Sequence, residues 1–423
     1  MTTRARLLAA LGSLVLALGL WGCAASAGTT GTTGTTGANA AAGDTAARGA
    51  AATSAAPSAD QANFGPRDRM LWWTPEQQVA GYRNIDRLFD TRLIQAGGDP
   101  YPLVSAQRDF SEVTYELDGA TYTLDDYVRD KRIAGLLVVK DGRILLERYA
   151  LGNDEHSRWI SFSIAKSVVS MLIGAAIKDG YIGSVDDPIT RYLPKLAGGG
   201  YDGVSIKNVL QMASGVKWNE DYADPNSNVA RTPRGNLALL QYMSALPREV
   251  APGEKFNYNT GETHLAGALL RAAIGNNLST YLSHKIWRPF GMESDATWML
   301  HEPGGGETGG CCIQATLRDY ARIGVFAMNG GVLRDGTRVL PESWMADSTA
   351  PSKGSPGYGY YWWLRDDGTY AGIGIFGQFL WIDPKSKIVI VTHSAWPTAV
   401  GRDLSRHRGM MVEALAAAAR AST

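Results

Sequence analysis

The chain has 423 residues, 45% of them hydrophobic and 19% charged, with 12 Trp and 18 Tyr, enough to bury a large core without metal or disulfide staples. Lys plus Arg and Asp plus Glu both number 41, which excludes the broad basic surface of a nucleic-acid binder and leaves a small-molecule or peptide substrate. No Cys-x-x-Cys, His-x-His or His-Glu-x-x-His spacing occurs among three Cys and six His, so neither a metal nor another cofactor is expected.

Residues 1–23 carry two arginines, Arg4 and Arg6, then an apolar run over 7–20 and the ending Leu20-Trp21-Gly22-Cys23. That order predicts an export signal peptide, and the run is shorter than the roughly 17 to 25 residues of a spanning helix. The Leu-x-Gly-Cys ending resembles a bacterial lipobox, which implies a lipoprotein: signal removal would leave Cys23 as an acylated, membrane-anchored N-terminus in the bacterial cell envelope, plain secretion or a periplasmic location being the alternative. Residues 24–62 are mainly Ala, Gly, Thr and Ser, with Gly-Thr-Thr repeated three times from Gly28. Such a stretch cannot offset its ordering entropy and predicts a disordered tether.

Residues 63–423 read as one continuous globular domain. Apolar runs at 136–139 and 144–146 flank Lys140-Asp141-Gly142-Arg143, the signature of a β-hairpin. Residues 166–178 carry Val168, Val169, Leu172, Ile173 and Ile177 and predict a buried helix. Further helices are expected over 205–212, 263–274 and 278–287, and strands over 358–363, 378–382 and 388–392, with a turn at 383–386. An Ala-rich helix over 404–420 should pack on those strands. Together these predict an α+β fold: an antiparallel sheet built from N- and C-terminal strands, flanked by helices, with a helical subdomain inserted and the site where the two meet. Cys311-Cys312 follow Gly309-Gly310 and read as two small buried residues after a turn, or as a vicinal disulfide in an oxidising compartment.

Ser163-Ile164-Ala165-Lys166 opens the buried helix. Positions i and i+3 share a helical face, so hydroxyl and amine can meet. A serine hydroxyl needs a neighbour to take its proton, and burial lowers a lysine's pKa enough to help. The helix N-terminus also offers backbone N–H groups to an oxyanion. Alone, Ser-x-x-Lys arises often by chance as an exposed Ser with a solvated Lys. Its context argues otherwise, because an unpaired Lys in so apolar a helix is costly. Ser161 lies five residues before Lys166 and is a decoy.

Ser-x-x-Lys followed by Tyr258-Asn259-Thr260 and a Gly-containing helix resembles the serine β-lactamase and penicillin-binding-protein superfamily, in its class C and esterase branch. Met212-Ala213-Ser214-Gly215 and Asp319-Tyr320-Ala321-Arg322 extend the resemblance, which covers residues 64 to 420. Asp221-Tyr222-Ala223-Asp224-Pro225, Tyr258-Asn259-Thr260-Gly261 and Gly309-Gly310-Cys311-Cys312 are most similar to 6-aminohexanoate-dimer hydrolases, which cleave a nylon-oligomer amide. The resemblance implies a β-lactamase/transpeptidase-like fold and an amidase or esterase acting through an acyl-enzyme on Ser163. In that branch the Tyr serves as base, which gives Tyr258 that role beside Lys166. It puts Thr260 in the third motif position and Tyr222 toward the scissile group, unless Tyr222 is an ordinary loop aromatic.

The family's Lys-Thr-Gly or His-x-Gly strand matches Ala371-Gly372-Ile373-Gly374-Ile375, where Ile375 N–H becomes the second oxyanion donor and Gly374 permits close approach. No Lys, Arg or His lies between Arg365 and Lys385. The cation that holds a substrate carboxylate is therefore missing from this strand, which points away from β-lactams and toward an amide or ester with an apolar acyl part. A carboxylesterase with weak β-lactamase or peptidase activity is the alternative enzyme, and an inactive surface-tethered binding module the non-enzyme one. The expected partners are a small amide or ester substrate and a lipid anchor; oligomeric state is left open.

Overall fold

Every residue from Ile388 to Ser394 is buried, the mark of a strand covered on both faces. It lies in the middle of a seven-stranded sheet in this computed structural model, which describes residues 59–422. The strand order is Trp363–Leu364, Tyr370–Ile373, Phe379–Asp383, Ile388–Ser394, Ile133–Lys140, Arg143–Tyr149 and Val104–Ser105. All neighbours are antiparallel except the last pair. The expected 140–143 turn closes the hairpin of Ile133–Lys140 and Arg143–Tyr149. Val389 faces Val139 and Val391 faces Leu137 across the seam where early and late strands meet.

Alternate side chains point to opposite faces of a strand, and the sheet uses both. Leu137, Val139, Leu380, Ile382, Val389 and Val391 share a core with the helices Ile164–Lys178 and Leu317–Met328. Leu136, Val138, Phe379, Trp381, Ile388 and Ile390 pack against Met411, Val412, Leu415 and Ala419 of the C-terminal helix Arg402–Ala421. At about 1.5 to 3 kcal/mol per fully buried aliphatic or aromatic side chain, these two layers hold the sheet flanked by helices that the sequence predicts.

Several expectations need correction. Residues 358–363 do not form a strand: Tyr358 makes an isolated bridge to Trp363, and only Trp363–Leu364 joins the sheet. Tyr361 there has φ 61°, and Tyr358, Tyr361 and Trp362 bury their rings in the core instead. The helix expected over 205–212 shortens to Ile206–Leu210, started by a Ser205/Asn208 capping box. The one over 278–287 comprises an α-helix at Leu278–Leu282, a π-turn at Ser283–Trp287 and a last turn at Arg288–Phe290. A second, four-stranded sheet was not foreseen; it joins Thr91–Ile94, Ala296–Met299, Ile313–Thr316 and Arg158–Ile160. Asp60, within the expected tether, is held by Arg83 at 2.9 Å and Asn84 at 2.9 Å. The expected signal peptide, Cys23 and the tether as far as residue 58 lie outside the described residues. No helix among the described residues is long and apolar enough to cross a membrane.

Candidate active site

The strand Arg158–Ile160 of the smaller sheet leads directly into Ser161, Phe162 and Ser163. Ser161 is consumed by structure: its N–H donates to the Ile313 carbonyl at 2.7 Å, and its Oγ accepts from the Ile313 N–H at 2.9 Å. Phe162 sits at φ 42°, a costly left-handed conformation for a bulky residue. Its ring is pinned between Tyr82 at 5.1 Å and Phe376 at 5.4 Å. This sharp turn delivers Ser163 to the N-cap of Ile164–Lys178, where its hydroxyl caps no backbone N–H.

The free hydroxyl instead receives Lys166, whose Nζ lies 3.0 Å from Ser163 Oγ and 2.8 Å from the Gly310 carbonyl. Lys166 is 1% exposed. Burial pushes its amine down to about 8, opposed by the negative charge of Glu220. Gly309 and Gly310 are needed here because they lie on the Thr260–Ile274 helix. A Cβ on Gly309 would collide with the Thr263 carbonyl, and one on Gly310 would lie 2.8 Å from Thr260 Cγ2.

Tyr258 precedes that helix, which Asn259 caps by accepting the Glu262 N–H at 3.0 Å. The Tyr258 ring stacks on Trp363 at 5.6 Å and lies 5.2 Å from Lys166 Nζ. Burial and the Glu220 charge push its phenol upward, and a hydrogen bond with Ser163 opposes them. The structure thus brings Ser163, Lys166 and Tyr258 together.

The residue that sequence reasoning missed is Glu220. Its carboxylate accepts the Tyr222 hydroxyl at 2.6 Å, the Thr260 N–H at 3.0 Å, the Thr260 hydroxyl and the Trp218 indole N–H. Tyr222 and Thr260 therefore enter the site as arms of one carboxylate. Glu220 lies between the Met-x-Ser-Gly turn and Tyr222, and only that proximity in the chain hints at it. Glu262 was missed too. Burial pushes its carboxyl up to about 8, against hydrogen bonds with Ser214 and Asn259 that tie the helix to the same turn.

Ile375 follows the strand Tyr370–Ile373 in a 3-10 turn, beside Phe376 at φ 59°. Gly374 N–H donates to Gln378 and Phe376 N–H to Ala399. Between them, the Ile375 N–H finds no acceptor among the described residues, and neither does the Ser163 N–H. A Cβ on Gly374 would lie 2.5 Å from the Ser161 carbonyl and 3.1 Å from Phe162 Cβ, so only glycine lets this turn approach the Ser163 turn. Two unspent N–H groups beside one hydroxyl are what an oxyanion requires.

Ser163, Tyr222 and Ile375 line both lobes of a cleft. The larger, of ≈ 340 Å³, continues to Phe89, Arg234, His264, His301 and Cys311. The smaller, of ≈ 230 Å³, is walled by Tyr258, Trp363, Ile373, Gly374, Trp396 and Arg408. His264 accepts the Gly310 N–H through Nδ1 at 3.2 Å, and burial holds its imidazole well below the usual range. Cys311 and Cys312 form a vicinal disulfide, the second of the two readings open from sequence.

The family model described as Beta-lactamase matches residues 122–412, which span the hairpin, the Ser163 helix, Tyr258 and the Ile375 turn. The chain belongs to the beta-lactamase family. A 6-aminohexanoate-dimer hydrolase of Paenarthrobacter ureafaciens is 33% identical over 286 residues, 62% of this chain and 72% of that one. A Bacillus anthracis structure assigned as a 6-aminohexanoate-dimer hydrolase shares the fold, with TM-score 0.72 and 22% identity over 80% of this chain and 94% of that one. A family VIII carboxylesterase shares it with TM-score 0.52 and 18% identity, over 69% and 94%. The chain is accordingly a serine hydrolase acting on amide or ester bonds.

Proposed function

We propose that Ser163 is the nucleophile of an acyl-enzyme amidase whose substrate is a short linear amide of the 6-aminohexanoate-dimer kind. The observation that carries this reading is the buried Lys166 amine 3.0 Å from Ser163 Oγ, at the junction of two cleft lobes. An amine with a pKa of about 8 is partly neutral at neutral pH, whereas the Tyr258 phenol, pushed upward, is not ionised there. Lys166 is therefore the ground-state base, and Tyr258 relays the proton onward.

As Ser163 Oγ bonds to the substrate carbonyl carbon, its proton passes to Lys166 Nζ. The carbonyl electron pair moves onto oxygen, facing the N–H groups of Ser163 and Ile375. Collapse of this intermediate breaks the C–N bond, and the proton returns through Tyr258 to the leaving nitrogen. Water, deprotonated by the same pair, then attacks the acyl-enzyme and frees Ser163 with a carboxylic acid as product. Tyr222 and Thr260, fixed by Glu220, bound the substrate at the junction, and Gly374 lets its chain pass close to the strand. The aromatic walls of the smaller lobe also support an esterase reading, since they accept an apolar group equally well from an ester.

The export signal and lipobox-like ending support a lipoprotein anchored through Cys23 and displayed at the cell envelope, with residues 24–62 as tether. Palmitate labelling of the wild type against Cys23→Ala tests that part. For the chemistry, the test is turnover of a 4-nitrophenyl ester and of a 6-aminohexanoate dimer by full-length wild type and Ser163→Ala. Ser163→Ala should lower kcat by at least about 10³-fold on both; equal turnover would contradict the assignment.

A further inference from the structure

His264 takes no step in the chemistry above, yet it is bonded to the residue that receives Lys166. One turn after Thr260 on the helix Thr260–Ile274, it shares that residue's face. Its Nδ1 accepts the Gly310 N–H at 3.2 Å, and the Gly310 carbonyl accepts Lys166 Nζ at 2.8 Å. Gly310 therefore links the helix to the lysine through its own two backbone groups. It has no side chain to hold it in place: a Cβ there would lie 2.8 Å from Thr260 Cγ2 and 3.2 Å from His264 Cε1. The next residue is fixed separately, since the Cys311 carbonyl accepts the Trp298 indole N–H and the Thr308 hydroxyl, each at 2.9 Å. For the Gly310 N–H, His264 is the one acceptor among the described residues.

This bond dictates the state of the imidazole. Nδ1 accepts only when it carries no proton, so the ring is neutral with its proton on Nε2. His264 is 8% exposed. Burial, and after it repulsion from His301 and Lys166, holds its pKa well below the usual range. His301 meets it edge to face at 4.8 Å, and is itself pushed down to about 4 by burial and Arg234, against Glu302 and Glu307. Both rings are accordingly uncharged at neutral pH, and the acceptor stays available. Lys166, by contrast, is a compact amine on a flexible four-carbon stem. Its direction is set by Ser163 Oγ and the Gly310 carbonyl; moving that carbonyl would turn the amine away from Ser163.

We propose that His264 is a positioning residue, a neutral acceptor that fixes Gly310 so that its carbonyl aims Lys166 Nζ at Ser163 Oγ. This rests on the Ser163 acyl-enzyme reading. Because His264 also lines the larger lobe, the competing role is direct contact with substrate, and kinetics separate the two. Positioning acts on kcat for every substrate alike, whereas contact acts on KM and grows with the chain bound.

Full-length wild type, His264→Leu and His264→Asn are assayed on 4-nitrophenyl acetate and 4-nitrophenyl hexanoate from pH 6 to 9. His264→Leu removes the acceptor and should lower kcat about 30-fold on both esters, the effect of leaving one buried donor unpaired, with KM little changed. Its rising limb in kcat/KM should move to lower pH, since an ammonium that loses a carbonyl acceptor gives up its proton more readily. His264→Asn returns an acceptor oxygen near the Nδ1 position and should regain about tenfold in kcat together with the wild-type limb. Should His264→Leu not fold, the 15N spectrum of histidine-labelled wild type decides, its His264 signal assigned by absence from His264→Asn. That signal should show the Nε2–H tautomer unchanged from pH 6 to 9. Unaltered kcat in His264→Leu, a loss confined to KM or to the hexanoate, a limb that stays in place, no recovery in His264→Asn, or an imidazole that titrates in that range would overturn the His264 assignment alone. Absence of wild-type turnover on both esters would overturn the acyl-enzyme reading, and the positioning role with it.

Discussion

Of the two lobes that meet at Ser163, the larger takes its walls from stretches around residues 67–72, 229–234, 299–301 and 308–311. The smaller is walled by the strands at Trp363 and Ile373, the C-terminal helix, and residues 396–400 between the sheet and that helix. Loops vary more readily than a sheet edge clamped under a helix. The larger lobe, built from more such stretches, is therefore where substrate shape is set, and the smaller is an aromatic slot with one charged side chain in its lining, Arg408. Between them lies machinery common to both: Lys166 against Ser163, and two N–H groups held by a pair of turns with Phe162 and Phe376 at positive φ.

If that division holds, changes to the shared machinery should affect every substrate alike, and changes to the walls should discriminate. The largest effect is expected for Lys166→Met, about 10³-fold in kcat/KM on neutral and acidic esters together. The same amine sets the pH profile. Its pKa of about 8 must be passed for Lys166 to be neutral, so wild-type kcat/KM should rise with pH along a limb centred near 8. A flat profile from pH 6 to 9 would contradict Lys166 as base.

A smaller effect, about 10- to 100-fold, is expected for Glu220→Gln, because Tyr222, Thr260 and Trp218 lose the charged acceptor they share. The glutamate also raises the Lys166 pKa through its charge. Neutralising it should move the rising limb to lower pH, which a merely structural role would not do.

How far the sequence reached follows the same division. The hairpin, the buried helix and the C-terminal helix were legible because their apolar periodicity is long and their turns carry Asp-Gly or Asp-Pro. The four-stranded sheet was not, because its strands run only three or four residues, too short to display a period, and Ile313–Thr316, buried at every position, shows no alternation at all. The aromatic run at 358–363 looked like a strand, but its side chains pack in the core along a turning backbone. In the site, Ser163 and Lys166 stand three residues apart on one helix, so local spacing places them together. Glu220 joins residues up to 40 positions distant, and Arg408 reaches the cleft from the far end of the chain; neither lies in a short motif.

The central claim is that one hydroxyl, and no other, is activated where the lobes meet. The most direct measurement is intact mass of the full-length protein after treatment with a fluorophosphonate, followed by peptide mapping. A single adduct on Ser163, absent in Lys166→Met over the same time, is the predicted result. An adduct on Ser161 or any other residue, or no adduct at all, would contradict it.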